Sequence, residues 1–379
     1  MENDTNHRVS ALDNDKNHQM SALEKDKNHT VLTMENEKNH RVLAMENGKK
    51  SRLSAMENDN KLVSAMETEE NKCCSQTTEN RSKKLLGGML VQKIDGVNYL
   101  KFDLGFDLVH LLNLILGLRV REDDVISIGF PRSGNHWTFE IVSMILSQTT
   151  DFEKDHFYSR LLEYLGNEVA ANVEKIPSPR NLATHCRIQN IPEEAIEKRT
   201  KLIYILRNPK DVLVSLYKFT TSLSHGASNF AGTWDEFFEL QMLGEFPWGH
   251  WCDHVLATEA YQNEHKECPI FMLVYEKMKE NPAEEIEKLC QFLGKPSTLA
   301  RQIAERTQFS SMKSELGRTK MSIQGENHFK NGPDDILRKG VVGDWKNWFT
   351  VSQNEAFNQL FERKMINSKL GELMREYIK

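Results

Sequence analysis

The chain has 379 residues, a formal net charge of −6 and 39% apolar residues, enough for one large or two modest domains with a substantial core. That charge balance excludes a general affinity for nucleic acid or an acidic membrane surface, so any anion site has to be local. Cys73, Cys74, Cys186, Cys252, Cys268 and Cys290 show neither metal-ligand spacing nor a disulfide framework, which fits a reducing compartment.

The opening MENDTNHRVS has no basic n-region and no apolar h-region, so a soluble cytoplasmic protein without a secretory signal is expected. The first 80 residues contain no aromatic residue; all 18 Phe, 6 Trp and 8 Tyr lie beyond them. They form a repeat instead. His7, His18, His29 and His40 recur every eleven residues, as do Val9, Met20, Val31, Val42 and Leu53, followed three places later by Leu12, Leu23, Met34, Met45 and Met56. Eleven residues are close to three helical turns, so these positions align as a narrow stripe with a right-handed supercoil tendency. A coiled-coil arm is one reading. Flanks crowded with Asn, Asp and Lys, together with Gly48, favour the other, disorder or a frayed helix. Chelation of one metal ion by these histidines is not expected, because successive rings would stand about 16 Å apart along a helix. The composition stays polar through Lys84, which sets the expected organisation: an arm and linker over 1–84 and a globular domain over 85–379.

Residues 108–118 are the most apolar run, too short to cross a bilayer and containing His110 and Asn113. The next stretch, ISIGFPRSGNHWTFEIVSMI over 126–145, predicts strand, loop and helix. Val125, Ile126 and Ile128 read as a buried parallel strand. Ile141, Ile145 and Leu146 fall at helical spacing from Trp137. Between them, Pro131-Arg132-Ser133-Gly134-Asn135-His136 holds one glycine for close backbone approach and ends where amides point out of a helix N-terminus. That is an anion cradle. It lacks the G-x-x-x-x-G-K-[ST] of a nucleotide-hydrolase loop, and its cation precedes the glycine.

Residues 182–185 read as a short strand ending at Thr184-His185; taken alone, His185 fits a loop cap. KLIYIL over 201–206 is another buried-type strand. Arg207-Asn208-Pro209-Lys210-Asp211 then turns into a helix through Phe219, with Pro209 suited to its first turn and Val212, Leu216 and Phe219 on its apolar face. Residues 219–251 gather Phe230, Trp234, Phe237, Phe238, Phe246, Trp248 and Trp251, mostly core by their spacing. PIFMLVY over 269–275 is the last predicted strand, followed by helices through Arg306. Finally, Arg338-Lys339-Gly340-Val341-Val342-Gly343-Asp344-Trp345 sets two cations beside a glycine, a second anion nest.

Three motifs in this order, P-R-S-G-x-x-W at 131–137, R-N-P-K-D-V-x-x-S at the end of a strand at 207–215 and R-K-G-x-x-G-D-W at 338–345, resemble the cytosolic sulfotransferases over most of 85–379. The resemblance implies an α/β fold, a three-layer α/β/α arrangement with a central parallel sheet and a phosphosulfate-binding strand-loop-helix. It implies metal-free transfer of a sulfuryl group from 3′-phosphoadenosine 5′-phosphosulfate to a hydroxyl or amine of a small acceptor. His185 then matches the family's general base, with Arg132 and Ser215 also among the catalytic groups. Arg132, Ser133, Gly134, Asn135, His136 and Trp137 match the 5′-phosphosulfate loop. Arg207, Ser215, Arg338, Lys339 and Gly340 match the 3′-phosphate site, and Trp137, Tyr275, Thr307 and Phe309 the adenine site. Some aromatic residues of 219–251 are expected in an acceptor pocket. Lys346, Thr350, Val351 and Glu355 match the family's K-x-x-x-T-V-x-x-x-E homodimer segment.

The sequence departs from the family pattern at Arg132, where Lys is usual, at Asn135 and His136, where Thr-Thr or Thr-Asn is usual, and at Ala183, where a Lys commonly precedes the His by two. A planar guanidinium is not the compact point charge of an ammonium. Two readings therefore stay open: an active transferase, or a catalytically weak nucleotide-binding relative acting as a scaffold through its repeat arm. Golgi-type carbohydrate sulfotransferases match less well, since they need a signal anchor.

Overall fold

A computed structural model describes residues 80–100, 107–223, 229–318, 330 and 335–379. The expected repeat arm with its histidines, Cys73 and Cys74 lies outside the described residues. β1 (Val91–Ile94) and β2 (Val97–Leu100) pair as an antiparallel hairpin. Asp95 and Gly96 turn it with φ of 48° and 75°, the left-handed backbone for which an Asp-Gly pair is suited. The apolar run at 108–118 forms helix α1 (Leu108–Leu116), capped by the Asp107 side chain, which accepts from the Val109 amide.

β3 (Val125–Gly129) is buried along its whole length and leads into helix α2 (Asn135–Ser147). β4 (Asn181–Thr184), β5 (Lys201–Leu206) and β6 (Ile270–Val274) complete a parallel sheet in the order β4-β3-β5-β6. Ile126 stands opposite Leu182 on one side and Leu202 on the other. Alternation along the strands feeds two cores. Ile126, Ile128, Leu202, Tyr204 and Leu206 join one, together with Val212, Leu213 and Leu216 of helix α3 (Pro209–Ser222). Val125, Ile203 and Ile205 join the other, with Ile141, Val142 and Ile145 of α2. Helices thus cover both faces of the sheet, and this three-layer α/β/α architecture explains why the strands are continuous apolar runs. At the amino ends of β3 and β4, Arg180 binds Asp124 through Nε at 2.7 Å and Nη2 at 2.5 Å, a fully buried bidentate pair.

The aromatic stretch is divided. Trp234, Phe237 and Phe238 lie on α4 (Trp234–Leu243) and Trp251 opens α5 (Trp251–Glu264); with Phe230 and Phe246 they pack into the first core. The strand predicted over 269–275 ends one residue sooner, since Tyr275 opens helix α6 (Tyr275–Glu280). Beyond it come α7 (Pro282–Leu293), α8 (Ala300–Arg306) and α9 (Phe309–Arg318). Helix α10 (Val351–Lys364) starts with a Thr350–Gln353 capping box. No helix among the described residues is long and apolar enough to cross a membrane.

From β3 the chain passes to β4 on one side, then back past β3 to β5 and outward to β6. Connections that diverge in this way leave a crevice at the carboxyl ends of the strands, where open α/β sheets bind ligands. Arg132, His185, Arg207 and Tyr275 each follow the end of a different strand.

Candidate active site

The loop after β3 is held in an uncommon backbone conformation. Gly134 has φ 109°, and a Cβ there would stand 2.8 Å from the Tyr275 ring, so only glycine lets the loop pass this close. Arg132 adopts φ 71°, which costs a residue with a side chain on the order of 1–3 kcal/mol. Its Nε donates to Ser215 Oγ at 3.2 Å and its Nη2 to the Ile336 carbonyl at 2.6 Å, with the guanidinium 4.6 Å from the Phe219 ring centre. Burial, aided by Arg207 and Arg338, lowers its pKa to about 10; it remains cationic near neutral pH. Asn135 Nδ2 donates to the Phe130 carbonyl at 3.2 Å and tightens the turn. α2 has no side-chain cap, so its first amides are left for a ligand.

His185 follows β4 and donates from Nδ1 to the Gly129 carbonyl at 2.8 Å. A carbonyl only accepts, so Nδ1 carries the proton and Nε2 holds the lone pair. Burial lowers its pKa to about 4, and the ring is neutral at physiological pH. Its backbone is fixed from both sides. The amide donates to Glu163 Oε1 at 2.7 Å, while Thr184 Oγ1 donates to Glu163 Oε2 at 2.9 Å. His254 Nε2 lies 3.3 Å from the His185 carbonyl, and its Nδ1 lies 2.7 Å from the Tyr204 hydroxyl. Burial raises the Glu163 carboxyl to about 7, against the opposing pull of those hydrogen bonds.

The second and third motifs interlock. Arg207 donates from Nη1 to the Arg132 carbonyl at 2.7 Å and lies 4.4 Å over the Tyr275 ring. Asp211, in the first turn of α3, accepts from the amides of Gly343 at 2.6 Å and Trp345 at 2.9 Å. Lys210 is buried with its Nζ 4.1 Å from the Trp345 ring centre, donating to Asn354 Oδ1 at 2.6 Å and the Ile378 carbonyl at 2.5 Å. Arg338 and Lys339 both bind Asp344, at 2.6 and 2.7 Å. Burial by itself would raise that carboxyl, but hydrogen bonds from Lys339, Arg338 and Asn347 hold it down at about 2. Gly340 has φ 65°, and a Cβ there would lie 2.3 Å from the Phe309 ring, so the loop backbone rests directly on that aromatic face.

Arg132, Gly134, Asn135, His136, Trp137, His185, Arg207, Ser215, Tyr275, Thr307, Phe309, Arg338, Lys339 and Gly340 all line one cavity of about 600 Å³. Ser133 does not line it and is fully buried. From the aromatic stretch, Phe219 and Trp248 reach the cavity. Trp248, at φ 70°, is tied to the hairpin by a bond from its amide to the Asn98 carbonyl at 2.6 Å. Sequence reasoning missed Tyr158, Tyr164 and Lys279 in the lining, and Glu163 and Asp211 behind it. Only Asp211 carried a signal, as an acidic residue inside the second motif. Lys346, Thr350, Val351 and Glu355 are exposed and outside the cavity. Ala183 is buried in a small cluster with Phe139, Phe157 and Leu161, and brings no cation to the site.

The polar surface of the cavity has the chemistry of a nucleotide carrying two anionic groups. Of the lining residues, Trp137 Nε1, Arg207 Nε and Arg338 Nε are buried without a hydrogen-bond partner among the described residues, and such groups cost roughly 1–3 kcal/mol each when left unmet. Phosphate oxygens would satisfy the two guanidinium nitrogens. Trp137 and Tyr275, edge to face at 5.5 Å, supply flat surface for a base. Among the described residues no group of side chains is arranged to hold a metal ion.

Known proteins agree with this chemistry. The chain is 36% identical over 268 residues to sulfotransferase 1C2 of Homo sapiens, a match covering 68% of this chain and 88% of that protein. Over 263 residues it is 36% identical to sulfotransferase 1B1 of Canis lupus familiaris, covering 66% and 86%. The crystal structure of mouse sulfotransferase SULT7A1 complexed with PAP superposes with a TM-score of 0.60 at 30% identity, covering 76% of this chain and 99% of that one. Retinol dehydratase in complex with androsterone and inactive cofactor PAP shares the fold at 17% identity and a TM-score of 0.60, over 77% and 95% of the two chains. Residues 122–369 match the sulfotransferase domain family, and the chain belongs to that family and is a sulfotransferase.

Proposed function

We propose that the protein transfers a sulfuryl group from 3′-phosphoadenosine 5′-phosphosulfate to a hydroxyl or amine of a small-molecule acceptor, with His185 as general base. The observation that carries this reading is the 2.8 Å bond from His185 Nδ1 to the Gly129 carbonyl. Gly129 ends the strand whose loop carries Arg132, so one short segment sets both the tautomer of the base and the position of the cation.

The bound donor would supply an activated sulfuryl group and a phosphate leaving group. Arg132 and the amides that follow Gly134 would stabilise charge on that leaving group. Neutral His185 takes the acceptor proton on Nε2. Arg207, Ser215, Arg338, Lys339 and the Gly340 amide bind the 3′-phosphate, while Trp137, Tyr275, Thr307 and Phe309 hold the adenine and so fix the donor's orientation. The cation missing at Ala183 leaves Arg132 as the charged side chain of the loop that faces the transferred group. We further propose a homodimer through Lys346, Thr350, Val351 and Glu355; Val351 is 77% exposed, an apolar side chain in search of cover.

Labelled donor incubated with a panel of phenols, alcohols, steroids and amines tests the reaction, alongside calorimetric titration with adenosine 3′,5′-bisphosphate. Transfer to at least one acceptor is expected. Tight bisphosphate binding with no transfer to any of them would favour the scaffold reading instead.

A further inference from the structure

The ring of His136, a departure from the family pattern, packs on Phe157 and Tyr158 and not on Tyr275. α2 sends the two neighbouring rings of its first turn in different directions. Trp137 goes to Tyr275 on the nucleotide side. His136 packs 4.3 Å from the Phe157 ring and 5.2 Å from the Tyr158 ring. Phe157 also contacts the His185 ring at 5.9 Å, so the two imidazoles flank one phenyl ring, and both line the cavity. Among the described residues neither ring nitrogen of His136 has a hydrogen-bond partner, and the residue lines the cavity.

We infer that His136 is a specificity-determining residue whose ring binds a second oxygen-bearing group on the acceptor, so that the preferred acceptors are planar aryl alcohols with a further hydroxyl near the one that is sulfated. The inference rests on the reaction proposed above and names its substrate class. Burial, with Arg132, His185 and His156 nearby, keeps the His136 pKa well below its ordinary value. A neutral imidazole offers one N–H and one lone pair, which suits a hydroxyl in either orientation. Tyr158, Tyr164, Phe219 and Trp248 supply the flat apolar wall. No carboxylate lines the cavity among the described residues, whereas Arg132 and Arg207 do; a protonated amine would meet cations and no counter-charge there.

The test compares kcat/KM for 2-naphthol and 2,3-dihydroxynaphthalene in the wild-type protein, His136→Phe, His136→Ala and His136→Gln. The phenylalanine keeps the ring packing and removes the polar atoms; the alanine reads the same loss if the larger ring does not fit. In the wild type the dihydroxy compound should be preferred by roughly fivefold to tenfold, the worth of one neutral hydrogen bond. That preference should vanish in His136→Phe and His136→Ala and return in part in His136→Gln, with adenosine 3′,5′-bisphosphate affinity within about twofold throughout. A preference that survives in both the Phe and Ala variants overturns the inference. So does a loss of bisphosphate affinity with equal damage to both acceptors, which would make His136 a donor-binding residue. A wild-type protein that sulfates other members of the panel and neither naphthol refutes the acceptor class while leaving the reaction intact; transfer to nothing sinks the reaction itself.

Discussion

On the function proposed above, the cavity has a donor half and an acceptor half, built on opposite principles. The donor half consists of short contiguous motifs that are held by charge: Asp211 pins the loop amides, Asp344 gathers Arg338 and Lys339, and Arg207 props the Arg132 carbonyl. The side chains proposed for the acceptor half are themselves uncharged. His136, His185, Tyr158, Tyr164, Phe219 and Trp248 arrive from separate parts of the chain, and their order comes from ring packing and from backbone bonds such as that of Trp248 to the hairpin. A ligand of fixed polyanionic chemistry is met by fixed cations and amides, whereas a surface that selects among acceptors has its identity in shape and in a few uncharged polar atoms.

The largest effect expected from breaking the donor half follows removal of the 3′-phosphate. Charge-assisted hydrogen bonds contribute roughly 1.5–3 kcal/mol each, so losing two of them should weaken binding about 10²-fold to 10⁴-fold. Calorimetric titration with adenosine 3′,5′-bisphosphate, adenosine 5′-phosphate and ATP is expected to show that order of loss for the two nucleotides without a 3′-phosphate. Arg338→Ala should weaken the bisphosphate alone, by about tenfold to a hundredfold. Equal affinity for all three nucleotides would contradict the donor assignment.

His185→Ala breaks the acceptor half at its reacting atom. A general base is worth about 10²–10⁴ in rate, and kcat should fall by that factor while bisphosphate affinity stays unchanged. Wild-type turnover in this variant would return His185 to a structural role.

These two halves also differ in how far they could be read from sequence. The strands at 125–129 and 201–206 were legible because burial on both faces makes them continuous apolar runs. The residues proposed for the donor were legible because phosphate binding needs glycine, amides and cations within a few positions of each other. Tyr158 and Tyr164 had no such signature: they enter the site from 3-10 turns whose contacts are long-range. Glu163 was invisible for the same reason, since its partners Thr184 and His185 stand 21 and 22 residues away. His136 was assigned to the donor by its motif position; the packing of its ring on Phe157 and Tyr158 was not legible there, because motif position fixes the backbone and not the direction of a ring.

A smaller effect should follow Glu163→Gln, which keeps the shape and removes the charge behind His185. The ionisable groups around Glu163 are Tyr99, Tyr164, His185 and Cys186. Burial keeps the first two and Cys186 protonated well above neutrality, leaving the Glu163 carboxyl to titrate near 7. Above that pH the carboxylate favours the imidazolium that forms as His185 takes a proton, so the wild-type rate should rise through pH 7 with a second limb near 4. The variant should lose the upper inflection and about tenfold in kcat at pH 8, with acceptor KM little changed. Stability carries the opposite sign. A carboxyl whose folded pKa lies above its unfolded value of 4.5 stabilises the protein at low pH, and that contribution fades as pH rises toward 7. Melting temperatures measured from pH 5 to 8 should therefore fall less steeply in Glu163→Gln. Parallel profiles for the two proteins would show that the carboxyl does not titrate in this range.

The smallest catalytic effect is expected at Val351, where the comparison of halves makes a prediction about the subunit. Val351 follows the third donor motif by six residues, is 77% exposed and sits at the start of α10 behind its Thr350 cap. The loops proposed for the donor are anchored by Asp211, Asp344 and Lys210 of the same chain, and none of these anchors comes from a second copy. Val351→Glu should therefore convert a dimer to monomers in sedimentation, because two like charges would face each other across a two-fold axis. Bisphosphate affinity and kcat should stay within about twofold. Since the side chain packs against nothing in its own core, the melting temperature of the monomer should not drop by more than the usual range for a surface substitution, about ±0.5 kcal/mol in stability. An unchanged dimer would move the contact to another surface. Monomers that had lost nucleotide affinity would show that the donor half, despite its internal anchors, is completed only by assembly.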